Sequence, residues 1–151
     1  MKLPTELFLS TIKSRQVYFF SNEQIKTPIP HYFICICIIS EGNIFFVCCT
    51  SQFEKRKNFI EKRNLPSTTL VWLKPDTKNG LKKDSYVDCN SYYPIPRSKI
   101  RNLYENDNIE YSGEISEDHY IQILKGLIAS PLIEENLKEY ITPILNALEE
   151  S

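Results

Sequence analysis

Glycine is scarce in this chain, with four residues in 151. So few leave little room for loops that cradle nucleotide phosphates, and no phosphate-loop pattern occurs. Histidine is rarer still, limited to His31 and His119. Neither stands at a metal-ligand spacing or completes a Ser-His-Asp signature, so neither a metal nor a cofactor is expected. No apolar run reaches the roughly 18 residues that a membrane-spanning helix needs. Residues 1–15 carry scattered Pro, Glu and Lys and no apolar signal core, which makes the cytoplasm the expected location. Repeats and low-complexity tracts are also absent.

Five cysteines are present, at spacings poor for chelation. Cys35 and Cys37 flank one residue inside an apolar run, and Cys48 and Cys49 are adjacent, whereas paired zinc ligands want a turn between them. With Cys89 they read as buried reduced thiols acting as small hydrophobes, in keeping with a reducing compartment.

The strongest pattern is a hairpin. Residues 31–39 read His-Tyr-Phe-Ile-Cys-Ile-Cys-Ile-Ile, and Glu41-Gly42-Asn43 supply turn chemistry. Residues 44–49 return as Ile-Phe-Phe-Val-Cys-Cys before Thr50-Ser51-Gln52. The two strands, 32–39 and 44–49, are apolar on both faces. They must be covered on both sides, in a small barrel or beneath a helix. The start of one hairpin strand lies beside the end of the next, which places His31 near Thr50 and Ser51 at one rim of the sheet. A titratable imidazole beside hydroxyls is a candidate catalytic pair. The same residues also fit a plainer role, a histidine at a strand entry and a Thr-Ser step that starts a turn.

Around the hairpin, residues 4–13 predict a short helix with Leu7, Phe8 and Ile12 on one side. Residues 16–20 predict a first strand and 21–30 a loop. Phe53, Phe59 and Ile60 anchor a short helix in the basic stretch 52–66. Residues 68–73 and 85–89 read as strands, with an Asn79-Gly80 turn between them. Residues 90–96, with Tyr92-Tyr93 ahead of two prolines, read as a sheet edge, 99–108 as a polar loop and 109–115 as a closing strand. Ser116 is an N-cap before Glu117 and Asp118, and Tyr120, Ile121, Leu124, Leu127 and Ile128 recur at helical spacing. Pro131 starts a second helix, kinked at Pro143, that buries Leu137, Tyr140, Ile141, Ile144 and Leu148. Five or six short strands followed by helices argue one α+β domain over residues 1–151. It comprises a small, strongly bent barrel about residues 16–115 and C-terminal helices about 117–149.

Charge is unevenly placed. Residues 53–101 hold 12 Lys and Arg against 5 Asp and Glu, and residues 102–151 hold 2 against 11. The split fits an anion-binding middle and an acidic C-terminal segment, and equally fits solvated surfaces of opposite sign.

Pro30-His31-Tyr32 opens one apolar strand, and Val47-Cys48-Cys49-Thr50-Ser51-Gln52 ends the next. Ser85-Tyr86-Val87-Asp88-Cys89-Asn90 precedes Pro96-Arg97-Ser98-Lys99-Ile100, and Gly113-Glu114-Ile115-Ser116 leads into the terminal helices. Over roughly residues 16–130 this order resembles the MazF/PemK/Kid family of toxin endoribonucleases. His31 stands where the family has its catalytic Arg, and the helix after Pro131 is an addition. The resemblance implies a bent barrel of the MazF/Kid/CcdB type and metal-independent cleavage of single-stranded RNA to a 2′,3′-cyclic phosphate and a 5′-hydroxyl. It also implies a cognate antitoxin and a homodimer. The gyrase-poison toxins share that barrel without nuclease chemistry and act on a protein target through a C-terminal helix, so a non-catalytic binding module stays open beside the nuclease.

Such cleavage needs a base for the 2′-hydroxyl, groups to hold the phosphorane and an acid for the leaving oxygen. His31 is the acid/base candidate, and Thr50 and Ser51 are the candidate donors to a phosphate oxygen. Lys55 and Arg97 are the candidate cations. Tyr92 and Tyr93 are candidates to stack an unpaired base, or else pack at the sheet edge.

Overall fold

A computed structural model describes residues 2–25, 29–39 and 42–151. The expected turn residue Glu41 and part of the expected 21–30 loop lie outside the described residues. Among these, seven strands and five α-helices make an α+β fold. The helices are α1 (Thr5–Ser10), α2 (Phe53–Lys62), α3 (Arg97–Glu105), α4 (Glu117–Ala129) and α5 (Glu135–Glu150). The strands are β1 (Gln16–Phe20), β2 (His31–Ile38), β3 (Asn43–Thr50), β4 (Leu70–Leu73), β5 (Ser85–Asp88), β6 (Tyr93–Pro96) and β7 (Ile109–Glu114). All pairings are antiparallel, in the order β4-β5-β3-β2-β1-β7. β3 is the hub. One edge pairs with β2, while the other is shared by β6, beside Asn43 to Phe46, and β5, beside Cys49 and Thr50. No pairing joins β4 to β7 among the described residues, so the sheet is an open path rather than the closed barrel expected.

The doubly apolar hairpin is covered on both faces by helices. On one face Ile34, Ile36, Val47 and Cys49 pack with Ile123, Leu124 and Leu127 of α4 and Leu137 and Ile141 of α5. On the other, Phe33, Cys35, Ile44 and Phe46 pack with Phe8 and Leu9 of α1 and Ile100 and Tyr104 of α3. Each large apolar side chain so buried contributes roughly 1.5–3 kcal/mol. Cys35 pairs with Phe46 and Cys37 with Phe45, so Ile36 is the extra residue of a β-bulge that bends β2. All five thiols are free, and burial pushes Cys35 up to about 12 and Cys37 to about 11.

Four expectations change, among them Tyr140, expected buried on the last helix, which is exposed and donates its hydroxyl to the Ile38 carbonyl at 3.2 Å. Residues 99–108, read as polar loop, fall largely in α3, because Ile100 and Tyr104, one turn apart, bury themselves on the sheet while the polar residues between them face water. Pro131 does not start the last helix, which begins at Glu135. The Ser130 hydroxyl instead accepts from the Leu132 N–H and shapes a turn. Leu7 of α1 is exposed, and Leu9 is buried with Phe8 and Ile12. Among the described residues no helix is long and apolar enough to cross a membrane.

Candidate functional site

β2 begins at His31 and β3 ends at Thr50. With Phe33 opposite Cys48, the hairpin register brings these two termini to the same rim. A cleft of about 150 Å³ opens there, lined by His31, Thr50, Arg56 and Tyr93, with Cys48, Gln52, Asp88 and Ser91 completing its polar wall and Ile25 its apolar edge. His31, Thr50, Arg56, Asp88 and Tyr93 come from five different elements: β2, β3, α2, β5 and β6.

His31 is half-buried, and its Nδ1 lies 3.0 Å from the Ile29 carbonyl. A carbonyl only accepts, so Nδ1 carries the hydrogen and Nε2 keeps its lone pair in the neutral ring. Thr50 Oγ1 accepts from the Gln52 N–H at 3.1 Å, which starts the turn into α2. Its hydroxyl proton remains available to donate, so the turn does not use up the group.

Arg56 pairs with Asp88, Nη1 to Oδ2, at 3.5 Å. Asp88 is held from behind. Its Oδ1 accepts from the Asn90 N–H at 3.0 Å and the Asn90 Nδ2 at 2.8 Å. Asn90 is itself buried, donates to Thr69 Oγ1 at 2.9 Å and accepts from the Ser130 hydroxyl at 2.7 Å. A chain of buried hydrogen bonds thus fixes the carboxylate that aims the guanidinium. Tyr93 stands edge-on to Phe33, with ring centroids 5.8 Å apart. Burial above all, then the nearby Cys48, raises its pKa, so it stays a protonated donor near neutral pH. Burial likewise pushes the Cys48 thiol up to about 12, which disfavours it as a nucleophile.

The other expected site residues lie elsewhere. Ser51 is exposed and does not line the cleft. Lys55 is exposed on α2 and does not line it. Arg97 begins α3 beside Gly42 and Asn43, at the far end of β3, roughly 20 Å along the strand from Thr50. Tyr92 points to the opposite face, stacked on Phe45 with its hydroxyl donating to Glu134 Oε2 at 2.8 Å. Arg56 and Asp88 were missed by sequence reasoning. A signal for Arg56 was present, because it sits three residues after Phe53 and four before Ile60, on the helix face that must meet the sheet. Among the described residues no three His, Cys, Asp or Glu side chains cluster as a metal site.

Comparison of the sequence with protein-family models gives no match, and comparison with curated proteins gives none.

Proposed function

We propose that this cleft binds a phosphodiester of single-stranded RNA and cleaves it by internal transfer to the 2′-oxygen. The observation that carries the reading is the convergence of His31, Thr50, Arg56 and Tyr93 on one cleft. His31 Nε2 takes the proton of the 2′-hydroxyl, and the 2′-oxygen attacks phosphorus. Arg56 faces the charge that develops on the phosphoryl oxygens, and the Thr50 hydroxyl donates to one of them. The bond from phosphorus to the 5′-oxygen breaks, and that oxygen takes the Tyr93 proton, which His31 returns through solvent. The products are a 2′,3′-cyclic phosphate and a 5′-hydroxyl.

On this reading the chain is a divergent relative of the MazF/PemK/Kid toxins, in which a histidine takes the place of the family arginine at the strand entry. Its partners are single-stranded RNA, an antitoxin and a second copy of itself, in the cytoplasm. Incubating the purified protein with end-labelled single-stranded RNA in EDTA tests it. Cyclic-phosphate ends, lost in His31→Ala, support the reading. Intact RNA at high protein concentration, or a His31→Ala variant as fast as wild type, sinks it.

A further inference from the structure

One cross-strand row leads out of the cleft. Thr50 pairs with Tyr86, and Tyr86 with Trp72. Directly opposed residues of an antiparallel ladder share a face. The adjacent row, Cys49, Val87 and Val71, is buried in the core on the other side. Thr50, Tyr86 and Trp72 therefore all face the side on which the cleft opens, and Trp72 lies two strand spacings, roughly 10 Å, beyond Thr50.

Trp72 is the chain's one tryptophan, and it is 49% exposed on β4, an end strand of the sheet. Lys74 Nζ stands 5.0 Å from its ring centre. Further in, Tyr86 meets Phe53 of α2 with centroids 4.9 Å apart, and Lys57 Nζ lies 5.8 Å from the Phe53 ring. Trp72 with Lys74, and Phe53 with Lys57 (itself 3.9 Å from Glu61), are two aromatic side chains each with a cation beside the ring, and such pairs suit a strand of unpaired bases joined by phosphates. The rings stack the bases and the cations neutralise the backbone. The acidic segment of a protein partner would use the cations but has no need of the exposed Trp72 ring beside them.

We propose that the row from Thr50 through Tyr86 to Trp72 is the track by which the single strand leaves the cleft, with an unpaired base stacked on Trp72 and neighbouring phosphates held by Lys74 and Lys57. The inference rests on the single-stranded RNA reading of the cleft and adds the subsite beside it.

Trp72 reports on itself. The test titrates the full chain with a short 2′-O-methyl oligonucleotide of mixed sequence, which lacks the free 2′-hydroxyl that cleavage needs, and follows tryptophan emission. The expected result is saturable quenching that weakens as salt rises. Trp72→Ala and Lys74→Glu, both at exposed positions, weaken binding roughly tenfold when measured by anisotropy of a labelled oligonucleotide. Unchanged emission, or Trp72→Ala binding as tightly as wild type, overturns the track. So does quenching by poly-glutamate in place of the oligonucleotide, which would make the row a protein-docking surface. The two readings fail separately: RNA cleaved with Trp72 silent removes the track and keeps the nuclease, whereas Trp72 quenched by RNA that stays intact keeps the track and removes the nuclease.

Discussion

Asn90 occupies the point where the cleft is tied to the rest of the molecule. Its side chain joins Asp88 in front, Thr69 beside it and Ser130 behind, all by hydrogen bonds of 2.7 to 2.9 Å. Replacing it with Ala leaves the buried Thr69 and Ser130 hydroxyls short of a partner. We expect Asn90→Ala to lose about 2–3 kcal/mol of stability, read from the urea midpoint. A loss within about 0.5 kcal/mol would show that water replaces the amide there. Asp88→Asn keeps the shape but removes the charge facing Arg56, so it should lower RNA cleavage more than it lowers the melting temperature. Sequence alone showed His31 and Thr50 as neighbours, because hairpin register follows from where two apolar runs begin and end. It named Lys55 and Arg97 as the candidate cations and passed over Arg56, which lies in the same basic run as Lys55. The phase of the helix against Phe53 and Ile60 separates Arg56 from Lys55.

At Gly126, α4 packs against Thr68 and Cys89, which flank β4 and β5. A β-carbon added there would lie 2.8 Å from Cys89 Sγ and 3.0 Å from the Thr68 carbonyl oxygen. Alanine favours a helix over glycine by about 1 kcal/mol. Overpacking a closed core costs about 1–3 kcal/mol, and here the backbone of Thr68 blocks relief. Gly126→Ala should therefore lower the melting temperature despite its better helix propensity, and a rise would mean that α4 shifts freely. α5 buries Leu137, Ile141 and Leu145. A chain ending at Ser130 forfeits about 5–9 kcal/mol of that burial, comparable to a whole domain's stability. Such a chain should show no cooperative melting. A reading in which the last helix acts on a protein target is thus better tested by substitutions on its exposed face than by truncation. Elements with dense apolar runs, such as β1 and the hairpin, were legible in the sequence. α3 was not, because its short amphipathic stripe of Ile100 and Tyr104 is outnumbered by polar neighbours.

At the scale of the molecule, burial sets the response to alkali. Cys35 and Cys37 rise from the ordinary 9.0 to about 12 and about 11, and Tyr120 rises from 10.0 to about 12, with burial the largest cause for each. Their folded forms hold protons that the unfolded chain releases, so stability is fully present below pH 9 and falls as pH rises toward 12. Denaturant midpoints should drop steadily over that window, and a flat profile would mean that these groups open to water without unfolding. The barrel expected from the resemblance depended on a closure between end strands that no hydrophobic pattern encodes. The cleft depends less on closure than on the meeting of β2, β3, β5, β6 and α2 at one rim. The most direct test compares neighbours on α2, using cleavage rates of labelled single-stranded RNA in EDTA. Arg56→Ala should lose about 100-fold in kcat/KM, while Lys55→Ala, at an exposed position outside the cleft lining, should stay within about threefold, the range of a screened surface charge. Equal effects of the two, or no cleavage by the wild type, would contradict the assignment of this cleft.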